Sequence, residues 1–161
     1  MRPEDKKYFE ALSEPELLGL NIYAEARGES KEGRIAVGTV VLERVDHRDW
    51  DGKTIHEVIL KNWQFSWTMP EAGKAYYEEM VKIAKTFDDY YYTDIVLRDC
   101  VDIAQGLING TIPRDPDLAA VDCCQYLNPK VAAATKKKWL AGGMTLIKRI
   151  GKHEFFKDKV K

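Results

Sequence analysis

The apolar and polar positions of residues 13–28 follow the pattern of an amphipathic helix with defined ends. Ser13 and Glu16 have the spacing of a capping box, and Pro15 suits the first helical turn. Gly28 suits a left-handed residue at the helix end. At about 100° per residue, one side of this helix carries mostly apolar residues with one amide and one carboxylate: Leu17, Leu18, Asn21, Ile22 and Glu25.

Glu25 is therefore a carboxylate at a position where a helix normally buries an apolar side chain. Burial removes its solvation, and the negative end of the helix dipole disfavours its ionised form, so both effects raise its pKa. A raised pKa is what a general acid needs near neutral pH. The alternative interpretation is a buried structural carboxylate paired with an arginine, and the sequence offers Arg27, Arg34 and Arg44 as partners.

The rest of the pattern predicts a mainly helical chain with a small β element. Residues 33–45 are apolar on nearly every side, which predicts a buried central helix, and Gly38 would let a neighbouring helix approach closely. Other helical patterns begin at Thr54 and cover 72–87, 94–109 and 129–139, whereas 119–126 and 144–156 have strand patterns, the second interrupted at Gly151. Together these elements predict the α+β class, mainly α, in a single domain spanning residues 1–161.

Composition and charge narrow the choice of partners. The chain has 45% hydrophobic and 32% charged residues, as an ordinary globular protein does. Its formal net charge of -1 gives no general attraction to nucleic acid or to an anionic membrane. No apolar run reaches the roughly 18 residues of a transmembrane helix, and the N-terminus lacks the apolar stretch of a signal peptide. We therefore expect a monomer with no nucleic-acid partner and no stable membrane insertion.

The cysteines favour a reducing compartment. Cys100, Cys123 and Cys124 are odd in number, and the adjacent pair cannot easily form a disulfide. The strand pattern at 119–126 also places Cys123 and Cys124 in a strand, where neither has the setting of a nucleophile. We therefore expect synthesis in a cytoplasm.

The sequence predicts no metal site and no cofactor. A zinc site needs three or four ligands at recurring intervals, and the histidines His47, His56 and His153 show no such spacing. A glycine-rich phosphate-binding loop is also missing from the sequence.

An aromatic and polar cluster at residues 63–67 is typical of a sugar-binding surface. Gln64, Phe65 and Ser66 lie between two tryptophans, and aromatic faces beside short hydrogen-bonding groups suit pyranose rings. The alternative is a small satellite core under a loop.

A second polar cluster ends the predicted strand near residue 126. Tyr126 could reach a neighbouring carboxylate, and Asn128 could orient a substrate, although Asn128-Pro129 is also a common turn. His153 has the pattern of a partly buried structural histidine rather than that of a catalyst.

Several of these segments resemble, in order and spacing, the SleB-type cell-wall hydrolases, the catalytic domains of spore-cortex-lytic enzymes and related phage lysins. The resemblance covers residues 17–157. Its main motifs are Ala24-Glu25-Ala26-Arg27-Gly28-Glu29, Thr54-Ile55, Gln64-Phe65-Ser66, Tyr126-Leu127-Asn128-Pro129 and Ile150-Gly151-Lys152-His153-Glu154-Phe155.

The resemblance implies a lysozyme-like or lytic-transglycosylase-like fold and cleavage of the MurNAc–GlcNAc β-1,4 bond of peptidoglycan glycan strands. It implies that Glu25 is the catalytic acid. It also implies substrate-binding roles for the residues that match the groove motifs: Gln64, Phe65, Ser66, Tyr126 and Asn128. Two features depart from the family pattern: Glu43 stands where the family usually has asparagine, and residues 88–94 have no counterpart.

The leading interpretation is a phage endolysin acting as a lytic transglycosylase. It would be made in the host cytoplasm without a signal peptide and would act on the cell wall after release. A lysozyme-type muramidase is the alternative, and it would need a second carboxylate, for which Glu29 and Glu32 are the nearby choices. An alternative of another class is a non-catalytic glycan-binding module or a virion structural protein.

Overall fold

The computed structural model describes residues 1–159. Its helices are α1 (Pro3–Glu10), α2 (Glu14–Ala26), α3 (Lys31–His47), α4 (Ile55–Leu60), α5 (Lys74–Lys85), α6 (Phe87–Thr93), α7 (Ile95–Asn109), α8 (Pro116–Ala119) and α9 (Ala133–Ala141), with a 3-10 turn at Ser66–Thr68. The strands β1 (Gln125–Leu127), β2 (Thr145–Ile150) and β3 (His153–Lys157) form an antiparallel sheet in the order β1-β3-β2. The predicted α+β class, mainly α, is confirmed.

Helix α2 begins as the sequence predicts but ends differently. Ser13 Oγ accepts a hydrogen bond from the Glu16 N–H at 3.3 Å, and Glu16 Oε1 accepts one from the Ser13 N–H at 2.8 Å, which completes the capping box. The predicted left-handed Gly28 is wrong, because its φ is not positive. Instead, the Arg34 guanidinium donates to the Arg27 carbonyl at 2.7 Å and to the Ala26 carbonyl at 3.4 Å, so a side chain satisfies the helix end.

The predicted central helix is confirmed as α3, which packs against α2 and α7. A Cβ built on Gly38 would lie 2.6 Å from Leu107 Cδ1 and 3.1 Å from Ile22 Cδ1, so the predicted close approach at this glycine is also confirmed. The core side chains around α2, α3 and α7 are fully buried, among them Leu18, Ile22 and Val37. This packing fixes the position of α2 and therefore of the last turn that carries Glu25.

We expect Gly19→Ala to lower the free energy of unfolding. An added Cβ would lie 2.7 Å from Val101 Cα, a backbone atom of α7, so the two helices must move apart. Such overpacking costs about 1–3 kcal/mol, which exceeds the roughly 1 kcal/mol that alanine gains over glycine within a helix. Urea denaturation measures the difference. Gly28→Ala is the matched control, since its Cβ would meet nothing within 4 Å, and a loss there as large as at Gly19 would contradict this explanation.

The strand predicted at 119–126 is mostly wrong. Only Gln125–Leu127 forms a strand, while Ala119 ends α8 and the two cysteines Cys123 and Cys124 precede β1. The reason is local turn chemistry: the Asp115 carboxylate caps α8 by accepting from the N–H groups of Asp117 and Leu118, and Asp122 adopts a left-handed φ of 51°.

The second strand prediction is confirmed as the hairpin β2–β3. As predicted, Gly151 interrupts the strand pattern: it lies in the turn between β2 and β3 and has a φ of 55°. The helix predicted at 129–139 begins later, at Ala133, and α1, α6 and α8 were not predicted. Across residues 1–159, none of the helices combines the length and apolar character needed to cross a membrane.

Candidate active site

Glu25 lies in the last turn of α2 and faces the first strand of the sheet. Its Oε2 accepts a hydrogen bond of 2.9 Å from the Tyr126 hydroxyl. Strand β1 holds Tyr126 in register opposite Phe155 of β3, and the phenol ring packs against His153 and Phe155 at centroid distances of 5.2 and 5.7 Å. The predicted reach of Tyr126 to a carboxylate is thus seen, between residues 101 positions apart in the sequence.

The Glu25 carboxylate forms no ion pair within residues 1–159. Arg27 pairs with Glu79 at 2.7 Å and Arg34 with Asp99 at 2.6 Å. Arg44 donates to the Cys124 carbonyl at 2.7 Å and to Gln64 Oε1 at 3.2 Å. The alternative of a structural ion pair between Glu25 and one of these arginines is therefore wrong, because other acceptors occupy all three guanidinium groups.

Burial raises the pKa of Glu25 above its usual value, as the sequence predicts. The Tyr126 hydrogen bond and the positive charge of Arg44 oppose this rise but are smaller than the effect of burial. Burial, with the negative charge of Glu25 as a further cause, raises the pKa of Tyr126 well above its usual value. Tyr126 is therefore a neutral phenol that donates to Glu25, and Glu25 holds a proton more readily than an exposed glutamate does.

Two residues near Glu25 were not assigned to the site from the sequence. Tyr76 of α5 lies close enough for the charge of Glu25 to contribute, after burial, to raising its pKa to about 12. Arg44 of α3 was considered only as an ion-pair partner of Glu25, yet it is buried and donates a hydrogen bond to Gln64 Oε1. No sequence signal pointed to Tyr76, since a tyrosine on an amphipathic helix is typical of a core position.

The aromatic segment 63–67 divides into buried and exposed parts. Phe65 and Trp67 are buried, and Trp67 Nε1 donates to Asn21 Oδ1 at 2.8 Å, so these two rings are core side chains, but they belong to the main hydrophobic core rather than to a separate satellite. The Phe65 ring lies under the Arg44 guanidinium at 5.1 Å. Ser66 is exposed at the start of the 3-10 turn, and Trp63 is 74% exposed with a φ of 68°.

A small depression of about 140 Å³ collects several of the predicted site residues. Its lining includes Glu25, Glu29, Asn128, Lys152 and His153. The structure therefore brings Glu25, Tyr126 and Asn128 together. Gln64 is linked to them only indirectly: it accepts a hydrogen bond from Arg44, whose positive charge lowers the pKa of both Glu25 and Tyr126. Among the described residues, Ser66 contacts none of these groups by a hydrogen bond, and its predicted role in binding substrate stays a prediction.

The two additional carboxylates considered for hydrolysis are placed differently. Glu29 Oε1 accepts a hydrogen bond of 3.0 Å from the Lys152 N–H and lies 3.6 Å from His153 Nδ1. Glu32 is exposed in the first turn of α3. Burial lowers the pKa of His153, which keeps this ring neutral at neutral pH, while the charge of Glu29 opposes that shift. Glu29 thus holds the β2–β3 turn in place.

Comparisons with known proteins identify the family and the fold of the chain. The model of the cell wall hydrolase family matches residues 28–156. The fold is similar to the catalytic domain of the Bacillus cereus SleB protein, with a TM-score of 0.54 and 26% sequence identity over 89% of each chain. None of the curated proteins compared matches. The predicted SleB-type resemblance is therefore confirmed, whereas the role of Glu25, which precedes the matched range, stays a prediction. The chain belongs to the cell wall hydrolase family and is thus an enzyme that acts on peptidoglycan.

Proposed function

We propose that this enzyme cleaves the MurNAc–GlcNAc β-1,4 bond as a lytic transglycosylase with Glu25 as its acid and base. One observation carries the proposal: a half-buried carboxylate with a raised pKa lies in the depression and is oriented by the Tyr126 hydroxyl. Glycosidic bond cleavage needs an acid of this kind to protonate the leaving oxygen.

In the first step, Glu25 gives its proton to the glycosidic oxygen. The Tyr126 hydroxyl occupies Oε2, so the proton is carried by Oε1, the oxygen that remains free of this hydrogen bond. The bond between the MurNAc C1 and the glycosidic oxygen then breaks, the oxygen leaves as a hydroxyl, and positive charge develops on C1 and the ring oxygen. The carboxylate that Glu25 has become stabilises this charge.

In the second step, the same carboxylate acts as the base. It takes the proton from the C6 hydroxyl of the MurNAc residue, and the C6 oxygen attacks C1 to close a 1,6-anhydro ring. Glu25 ends protonated, as it began, and no water is consumed. A single carboxylate is therefore sufficient for the complete reaction.

The placement of the other carboxylates supports this mechanism over hydrolysis. A hydrolase uses a second carboxylate to activate water or to attack C1. Glu29 lines the same depression as Glu25, but its Oε1 accepts a hydrogen bond from the Lys152 N–H in the hairpin turn, and Glu32 is exposed on the surface. Among the described residues, neither carboxylate forms a hydrogen bond with Glu25 or Tyr126, so no contact with these two residues orients it for attack on C1 or for activation of water.

The products distinguish the two mechanisms. We expect cleavage in ¹⁸O-labelled water to release 1,6-anhydro-muramic ends without solvent oxygen, as measured by mass spectrometry of the muropeptides. Glu29→Gln and Glu32→Gln should each retain most of the wild-type rate. Labelled reducing-end muramic acid together with an inactive Glu29 or Glu32 variant would establish a lysozyme-type muramidase instead.

We also propose that the enzyme is a phage endolysin made in the host cytoplasm. The three cysteines, all buried and free of disulfides, support folding in a reducing compartment. When the enzyme is expressed in host cells, the cells should stay intact until their cytoplasmic membrane is permeabilised. Lysis of cells whose membrane has not been permeabilised would contradict this role.

A further inference from the structure

Three potential metal ligands converge where helix α3 ends. Glu43 and His47 are four residues apart and therefore lie on the same side of α3. Asp122 joins them from the turn that precedes β1. One ligand atom from each of the three side chains lies within 4.8 Å of the others.

The two distances from His47 Nε2 to the carboxylate oxygens match the geometry of a bound metal, and the third pair of ligand atoms lies within 4.8 Å. His47 Nε2 lies 3.2 Å from Glu43 Oε2 and 3.4 Å from Asp122 Oδ1. Zinc binds imidazole nitrogen and carboxylate oxygen at about 2.0–2.2 Å in a tetrahedral arrangement, which places any two ligand atoms about 3.3–3.5 Å apart. Both observed separations are close to that value.

A buried oxygen within the cluster points independently to a ligand. Glu43 is only 2% exposed, and its Oε1 accepts a hydrogen bond of 2.9 Å from Arg114. Its Oε2 accepts no hydrogen bond among the described residues, and His47 Nε2, another member of the cluster, lies 3.2 Å from it. A buried carboxylate oxygen without a partner is costly, and a cation would satisfy it.

The surrounding charges permit a cation here. Arg114 is the positive group in contact with Glu43, and its Nη1 is shared with Asp46 at 2.7 Å, so it does not cancel the charge of the cluster. Arg114 also fixes the Glu43 carboxylate in the way that outer hydrogen bonds commonly orient metal ligands. His47 and Asp122 line a cavity of about 1000 Å³, which leaves a further coordination position open to solvent. Three basic residues, Arg48, Lys157 and Lys159, also line this cavity, and Arg48 pairs with Asp51 and Asp158.

We propose that Glu43, His47 and Asp122 bind a divalent transition-metal ion, with Zn²⁺ as the best match to one imidazole and two carboxylates. The ion would tie the end of α3 to the turn that leads into β1, four residues before Tyr126. Its role is therefore structural, and it does not depend on the proposed cleavage mechanism. The spacing of histidines and cysteines could not reveal this site, because Asp122 is brought to it only by the tertiary fold.

Isothermal titration of the full chain, pretreated with a chelator, tests the site with Zn²⁺ alone. We expect one equivalent to bind with a Kd tighter than about 10 µM. At free Zn²⁺ near 100 times the Kd, the melting temperature should rise by roughly 5 °C or more. His47→Ala and Asp122→Asn should each weaken binding at least about tenfold, the typical loss when a group that supports a metal site is removed.

These two variants were chosen because they should keep the fold. The His47 and Asp122 side chains are 44% and 60% exposed, and asparagine tolerates the left-handed backbone at position 122. Asp49→Asn, an exposed carboxylate in the loop after α3 and outside the cluster, is the matched control and should bind as the wild type does. Absence of Zn²⁺ binding by the wild type, or wild-type affinity in His47→Ala, overturns the proposal.

Discussion

Replacing Glu25 by glutamine should abolish peptidoglycan cleavage while leaving the fold intact. Glutamine cannot donate the proton that the glycosidic oxygen needs, and loss of general acid catalysis costs about 10²–10⁴ in rate. Its side-chain oxygen can still accept the Tyr126 hydrogen bond of 2.9 Å, so the local geometry is retained. The loss of turbidity of purified peptidoglycan measures the effect. A variant that kept more than a small part of the wild-type rate would remove Glu25 from the mechanism.

The same variant should be at least as stable as the wild type near neutral pH. The folded-state pKa of Glu25 is raised above its usual value of 4.5 by burial. The proton bound to Glu25 therefore makes its full contribution to the free energy of unfolding only below pH 4.5. This contribution is lost as the pH rises through the folded-state pKa. Glutamine has no such loss. Melting curves at several pH values should show the variant gaining relative to the wild type as the pH rises, and a relative loss would contradict the burial argument.

The turbidity assay on wild type and Glu25→Gln also separates an enzyme from a binding protein. If the wild type bound peptidoglycan tightly but caused no loss of turbidity, and Glu25→Gln behaved identically, the chain would be a glycan-binding module that has kept the fold of its family. Cleavage by the wild type alone establishes catalysis through this residue.

Tyr126→Phe should lower turnover by roughly tenfold to a thousandfold, the range for removing one positioned hydrogen bond from an active site. The phenyl ring would keep its packing against His153 and Phe155, so the melting temperature should change little. The Tyr126 hydrogen bond lowers the pKa of Glu25, so its removal should raise that pKa further. Activity requires protonated Glu25, and the alkaline limb of the pH–rate profile should therefore move to higher pH.

A second tyrosine provides the control for this experiment. Tyr91 of α6 is partly buried, and its hydroxyl forms no hydrogen bond among the described residues, so Tyr91→Phe should leave both the rate and the pH profile unchanged. If Tyr126→Phe lost stability without a shift of the alkaline limb, Tyr126 would be a packing residue only.

Local signals made much of the helical framework predictable. The caps at Ser13, Thr54 and Asp94 depend on side chains within three residues of the helix start, and all three are formed as the chemistry of these residues favours. The raised pKa of Glu25 was also predictable, because helical periodicity alone placed this carboxylate on the buried side of α2.

Other features were not predictable in this way, because they depend on distant residues or on a local turn that competes with the apolar pattern. The end of α2 was assigned to Gly28, but the decisive group is Arg34, which reaches back from the next helix. The strand pattern at 119–126 was broken by the cap at Asp115 and the left-handed Asp122, a local conformation that competes with apolar alternation. Phe65 had the sequence context of a sugar-binding surface, yet its ring is buried beside Arg44.

The hydrogen bond between Glu25 and Tyr126 has a consequence for biosynthesis. It joins residues 101 positions apart, and the strand that carries Tyr126 is held in the sheet by β3, close to the C-terminus. A nascent chain can therefore form α2 early but cannot orient its carboxylate until β1 and β3 have left the ribosome. Chains that end before β3, whether unfinished or cut by a protease, should thus be unable to damage a cell wall.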